Sequence, residues 1–139
     1  LRGLAKAALA AAALLAAAAL VLLYGVKLWR RLAPRWCAAR RLPVLAYRAA
    51  LDRLAESGRR RGFGETREAF AAASAGFSPA FAELTRRHLE STLGARPQSP
   101  HRGDYLALMA LVPPEVSRAT PWPRRLLGAL DPFTWLRVR

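Results

Sequence analysis

The groups in this sequence that could do chemistry are few: one cysteine, two histidines, a pair of neighbouring glutamates and an arginine run set between glycines. A cysteine becomes a nucleophile when a base stands beside it or its pKa is depressed. Cys37 has arginines nearby, which favour the thiolate, but no histidine accompanies it, and it reads as a small apolar residue on a stalk. His88 and His101 stand far apart and, with a single cysteine, supply no zinc ligand set. His88 falls beside Leu84 and Leu89 at helical spacing, which predicts a partly buried core residue. Glu65 and Glu68 are close enough to pair as carboxylates, yet helix capping and the helix dipole account for both. The run Arg59-Arg60-Arg61-Gly62-Phe63-Gly64 offers charge to a phosphate but lacks the P-loop order of glycines with lysine and Ser/Thr. No catalytic residue, metal or cofactor is therefore expected, and the chain does not read as an enzyme. A solvated turn near a negative leaflet is the default reading of this run, and Arg59, Arg60, Arg61, Gly64, Glu65 and Thr66 are the candidate docking loop for a cytoplasmic protein partner.

These groups follow an apolar run from Ala7 to Val26 that contains no charge. A helix of about 20 residues spans a hydrocarbon core of roughly 30 Å. Alanine fills half of the run, so insertion is driven by its leucines and valines, each contributing roughly −0.3 to −0.6 kcal/mol near the centre. Tyr24, Trp29 and Trp36 suit the headgroup region at one end. A buried helix of a soluble protein is disfavoured, because 139 residues could hardly shield such a segment on all sides. A cleaved signal peptide is the sharper competitor, with Arg2 and Lys6 as its basic start. The run is too long for one, and the residues that follow it are strongly basic.

Lys27, Arg30, Arg31, Arg35, Arg40 and Arg41 follow without one acidic residue, against two basic residues on the other flank. Basic residues close to a span tend to remain cytoplasmic, which places the rest of the chain inside. The same six residues are expected to contact an anionic lipid leaflet. The net charge is +14, and this juxtamembrane block carries its largest share. A nucleic-acid binder needs base-reading side chains on a recognisable module, and none is apparent. A membrane-tethered basic nucleic-acid binder stays as an alternative that steep salt dependence would reveal. Arginine and alanine richness points to a GC-rich bacterial genome, hence a bacterial cytoplasmic membrane. The first residue is Leu1 rather than methionine, which predicts a fragment or a trimmed product.

Beyond the anchor (residues 1–26, span 7–26) the pattern predicts an all-α chain. Residues 27–43 form a basic stalk broken near Pro34, and Pro43 offers a restart. A helical domain then occupies residues 44–94. Tyr47, Leu51, Leu54 and Ala55 share one helix face, with Arg48, Asp52, Arg53 and Glu56 opposite and Arg48 paired to Asp52. Gly58 ends that helix, Thr66 caps the next, and Ser78-Pro79 opens a third that ends at Gly94. The expected core is Tyr47, Leu51, Leu54, Phe70, Phe81, Leu84 and Leu89. Residues 95–139 are a linker and a tail rich in tryptophan and arginine. Within them, Tyr105 to Val112 forms a short helix closed by Pro113-Pro114. The tail from Pro121 matches an amphipathic helix lying on a leaflet or docked on the domain, interrupted at Gly128 and Pro132.

From Tyr47 to Gly94 the chain resembles the cytoplasmic C-terminal domain, of unknown function, of bacterial TgpA-type transglutaminase-like membrane proteins. The residues that carry the resemblance are Tyr47, Leu51 and Leu54, then Gly58 with Arg59 to Arg61, Gly64-Glu65-Thr66, Phe70-Ala71 and Leu84-Thr85. Arg67 stands where that family usually has proline, and Leu93 near a position often held by tyrosine. The resemblance implies an accessory domain behind a last span, with the papain-like Cys-His-Asp machinery on the far side of the membrane and outside this sequence. The alternative without an attached enzyme is a stand-alone single-span adaptor.

Overall fold

The computed structural model describes residues 2–94 and 101–137, and every regular element among them is helical. The first helix, α1 (Arg2–Trp36), is built of alanine and leucine, the strongest helix formers. Pro34 does not break it: the proline lies in the last turn and the helix continues to Trp36. There its ring is buried, and Arg102 closes the end by donating to the carbonyls of Arg35 (2.7 Å) and Cys37. One helix, Gly3–Trp36, is long and apolar enough to cross a membrane, and its most apolar window is not covered by the rest of the chain.

A 3-10 turn (Ala39–Arg41) leads into α2 (Leu42–Glu56), which carries Pro43 in its first turn, where the missing N–H costs nothing. Its end is a Schellman motif. Gly58 takes φ 86°, its N–H donates to the Ala55 carbonyl, and the Arg59 N–H donates to Leu54, both at 3.0 Å. The third helix, α3 (Arg67–Ser74), begins where the Thr66 hydroxyl accepts from Ala69 N at 3.1 Å. In α4 (Pro79–Leu93) the Ser78 hydroxyl accepts from Phe81 N, and proline occupies the first turn.

The next helix, α5 (Arg102–Ala119), corrects the expectation of a short segment closed at Pro113-Pro114, since both prolines lie inside it. Tertiary packing overrides the two lost donors. Val112 and Val116 are buried in the core on either side of the prolines. Glu115 accepts from Ser78 Oγ (2.6 Å) and Ala80 N (3.1 Å), adding a carboxylate to the N-terminus of α4. The core therefore extends past residue 94. It gathers on α2 and joins Tyr47, Leu51, Leu54, Phe70, Phe81 and Leu84 to Tyr105, Val112 and Val116 of a segment expected to be linker and tail. Leu89, expected in the core, is only half-buried. Residues 95–100 of the expected linker lie outside the described residues.

The last helix, α6 (Trp122–Leu130), runs through Gly128 without interruption. Gly128 is buried against α2: a Cβ there would lie 2.0 Å from the Glu56 carbonyl oxygen. Pro132 falls after the helix, and a 3-10 turn (Thr134–Arg137) follows with Thr134 buried.

Candidate functional site

The basic residues behind the apolar run divide into two groups. Lys27, expected at a lipid surface, is instead 4 % exposed. Its Nζ donates to the carbonyls of Gly128 (2.9 Å), Ala129 (3.1 Å) and Asp131 (3.0 Å) and pairs with Glu56 at 3.0 Å. These carbonyls belong to the end of α6, so the ammonium satisfies acceptors that have no helical partner and meets the negative pole of the helix. One turn earlier the Tyr24 hydroxyl donates to the Leu130 carbonyl at 2.5 Å. Arg30 forms a two-pronged bond to Asp52 (2.8 and 3.0 Å) beneath the ring of Trp135. Arg31 reaches Glu56. Arg35, Arg40 and Arg41 are exposed, and Arg35 gives its carbonyl to Arg102.

Asp52 and Glu56, placed by periodicity on a solvated face of α2, are thus the counter-charges of α1. Asp52 is buried and paired with Arg30, not with Arg48. Burial outweighs the Arg30 contact and holds its carboxyl above the usual range. Glu56 serves three cations, since Arg53 also approaches it at 3.5 Å. Burial, and then the charge of Arg31, lower the pKa of Arg53. The sequence carried a signal for this junction: Lys27, Arg30 and Arg31 share one face of α1, as do Asp52 and Glu56 of α2.

The arginine loop makes a concavity of about 530 Å³, lined also by Leu51, Ala55 and Phe70. Every residue expected to dock a partner lines it: Arg59, Arg60, Arg61, Gly64, Glu65 and Thr66. Gly64 takes φ 78°, a conformation that side chains resist, and the Glu65 carboxylate clasps the turn by accepting from Gly62 N at 2.7 Å. The Arg59 guanidinium lies over the Phe77 ring, its central carbon 4.2 Å from the centroid. Phe63 projects from the loop fully exposed.

The remaining chemical groups do not converge. Cys37 is half-buried against the core, with its thiol directed at the Pro34 carbonyl (3.5 Å). His88 is buried and stacked on Tyr47, ring centroids 4.6 Å apart, and Arg67 contacts its Nε2 at 3.1 Å. Burial, with Arg67 and Arg48 acting in the same direction, lowers its pKa to about 4. Glu68 stands in the first turn of α3. No cluster of metal-ligating side chains occurs among the described residues. The chain matches no family model, no curated protein and no solved structure.

Proposed function

We propose that this chain is a membrane-anchored cytoplasmic docking domain, held by a single span and presenting the arginine loop to a protein partner. One observation carries the reading. The apolar stretch of α1 projects bare from the helical domain, while Tyr24 and Lys27 at its C-terminal end are gripped by α6. An apolar helix left exposed over some 20 residues needs a lipid environment. The basic residues Arg35, Arg40 and Arg41 just beyond it favour the cytoplasmic side of a bacterial inner membrane.

Within that reading, the resemblance from Tyr47 to Gly94 favours the C-terminal accessory part of a transglutaminase-like membrane protein, with catalysis performed outside this sequence. The loop concavity supports docking because it combines an apolar lining, three arginines and a protruding phenylalanine. Such a surface suits an acidic peptide carrying a hydrophobic side chain.

The test is a topology assay in bacteria with reporters fused after Arg139. A green fluorescent protein fusion should be bright, an alkaline phosphatase fusion inactive, and both should stay in the pellet after carbonate extraction. Active phosphatase, or release by carbonate, overturns the reading.

A further inference from the structure

A smaller cavity, about 130 Å³, lies where α1, α2, α5 and α6 meet, and it is lined by Arg31, Arg53 and Arg125. Three arginines from three helices face one space of the size of a tetrahedral anion. The only acid lining it among the described residues is Glu56, which Lys27 (3.0 Å), Arg31 and Arg53 (3.5 Å) already share. The Nε of Arg31 is buried without a hydrogen-bond partner among the described residues. A buried guanidinium N–H left unpaired is costly, and an anion in the cavity would relieve it. Arg125 is exposed and makes no ion pair among the described residues, so its charge is available to the cavity. Burial and the charge of Arg31 both act against the ionised form of Arg53, which a bound anion would offset.

The position of the cavity identifies the anion. Arg31 lies about 7.5 Å beyond Val26 at 1.5 Å per residue. Headgroups form a layer about 5 to 8 Å deep on each side of the hydrocarbon core. The helix that supplies Arg125 also exposes Trp122, Leu126, Leu127 and Leu130, and the Leu130 carbonyl is bonded to Tyr24 at the end of the apolar run. Such a helix, apolar on one side and basic on the other, lies naturally in a headgroup layer. We propose that Arg31, Arg53 and Arg125 bind the phosphate of an anionic phospholipid, drawn from the leaflet on which α6 rests. The lipid source rests on the membrane reading above; the phosphate chemistry does not.

The experiment uses the full chain in dodecyl maltoside micelles, with retained lipid counted by native mass spectrometry after mixing with equal phosphatidylglycerol and phosphatidylcholine. Phosphatidylglycerol should be retained in preference, one molecule per chain. Arg125→Gln should lower that retention about tenfold, as loss of one charge-assisted hydrogen bond does. Arg53→Lys, which keeps the charge but loses the planar fork, should also lower it. Circular dichroism confirms that each variant is folded. Equal retention of the two lipids, or a preference unchanged in Arg125→Gln, overturns the proposal. Displacement of the lipid by an equal concentration of inorganic phosphate overturns the lipid source and leaves a site for soluble phosphate. If the chain stays in solution without detergent, the membrane reading fails. Inorganic phosphate binding that Arg125→Gln abolishes would then sustain the anion site, and its absence would end it.

Discussion

Gly128 lies directly against Glu56: α6 crosses α2 so closely that a Cβ on the glycine would meet the Glu56 carbonyl oxygen at 2.0 Å. The contact sets α6 in place, because the carbonyls of Gly128 and Ala129 then fall within reach of Lys27. Gly128→Ala must push the helices apart, at a cost of about 1 to 3 kcal/mol. The expected result is a lower melting temperature and a red-shifted tryptophan emission as Trp135 loses its packing. An unchanged melting curve would show that α6 does not need this approach.

Glu56 is shared by Lys27, Arg31 and Arg53. Glu56→Gln therefore leaves several partly buried cations without a counter-charge, and removing one partner from such a cluster costs about 3 to 5 kcal/mol. Asp52→Asn should be milder, since burial already disfavours the charged carboxylate there. Chemical denaturation of the two variants side by side reads the difference, and a larger loss in Asp52→Asn would contradict this account.

His88 gives the domain a pH dependence whose sign follows from its lowered pKa. Its value in the fold is about 4, below the ordinary 6.5, so the unfolded chain binds the proton more readily between these values. Stability from this residue is complete above about pH 6.5 and is lost as the pH falls toward 4, by at most about 3 kcal/mol. Its Nε2, which accepts from Arg67, is the atom that protonation removes from that contact. Denaturation midpoints measured from pH 7 to 4.5 should fall, and His88→Phe should flatten that part of the profile. Glu83, held at about 2 by Arg86 and Arg87, takes up its proton only below this window, between about 4.5 and 2.

Phe63 allows the proposed docking to be tested apart from folding. It is fully exposed, so Phe63→Ser should change stability by no more than about 0.5 kcal/mol. If the loop docks an acidic peptide with an apolar anchor, the same change should weaken capture of such a peptide from a synthetic acidic library at least about tenfold, the loss of a buried aromatic anchor. Equal binding by both proteins would remove the loop from the docking surface.

The local punctuation was legible in the residues: Gly58, Thr66 and Ser78-Pro79 each do at their positions what their chemistry predicts. The all-α architecture follows from the same signals. What periodicity could not reveal was which partner would claim each face. Asp52 and Glu56 sit on the polar side of α2 in any helical projection, and only the arrival of α1 turns that side into an interior. Pro113-Pro114 signals an end by local rules, but burial of Val112 and Val116 and the Glu115 cap on α4 hold α5 together through it. The arginine loop was visible in the sequence as a contiguous run of glycines and charges. The Arg31, Arg53 and Arg125 cavity was not, because its members are separated by whole helices.

The grip of Lys27, Arg30 and Arg31 on the domain also fixes a phase. One face of α1 is clamped to α2 and α6, so the domain cannot swivel about the helix axis. Each residue advances a helix by about 100° and 1.5 Å. One alanine inserted between Ala19 and Leu20 would leave every contact of the clamp intact. Relative to the residues before the insertion, the whole domain would turn by more than a quarter of a circle, carrying the arginine loop to another compass bearing. Anything attached to the far end of α1 is thus geared to the direction in which that loop faces.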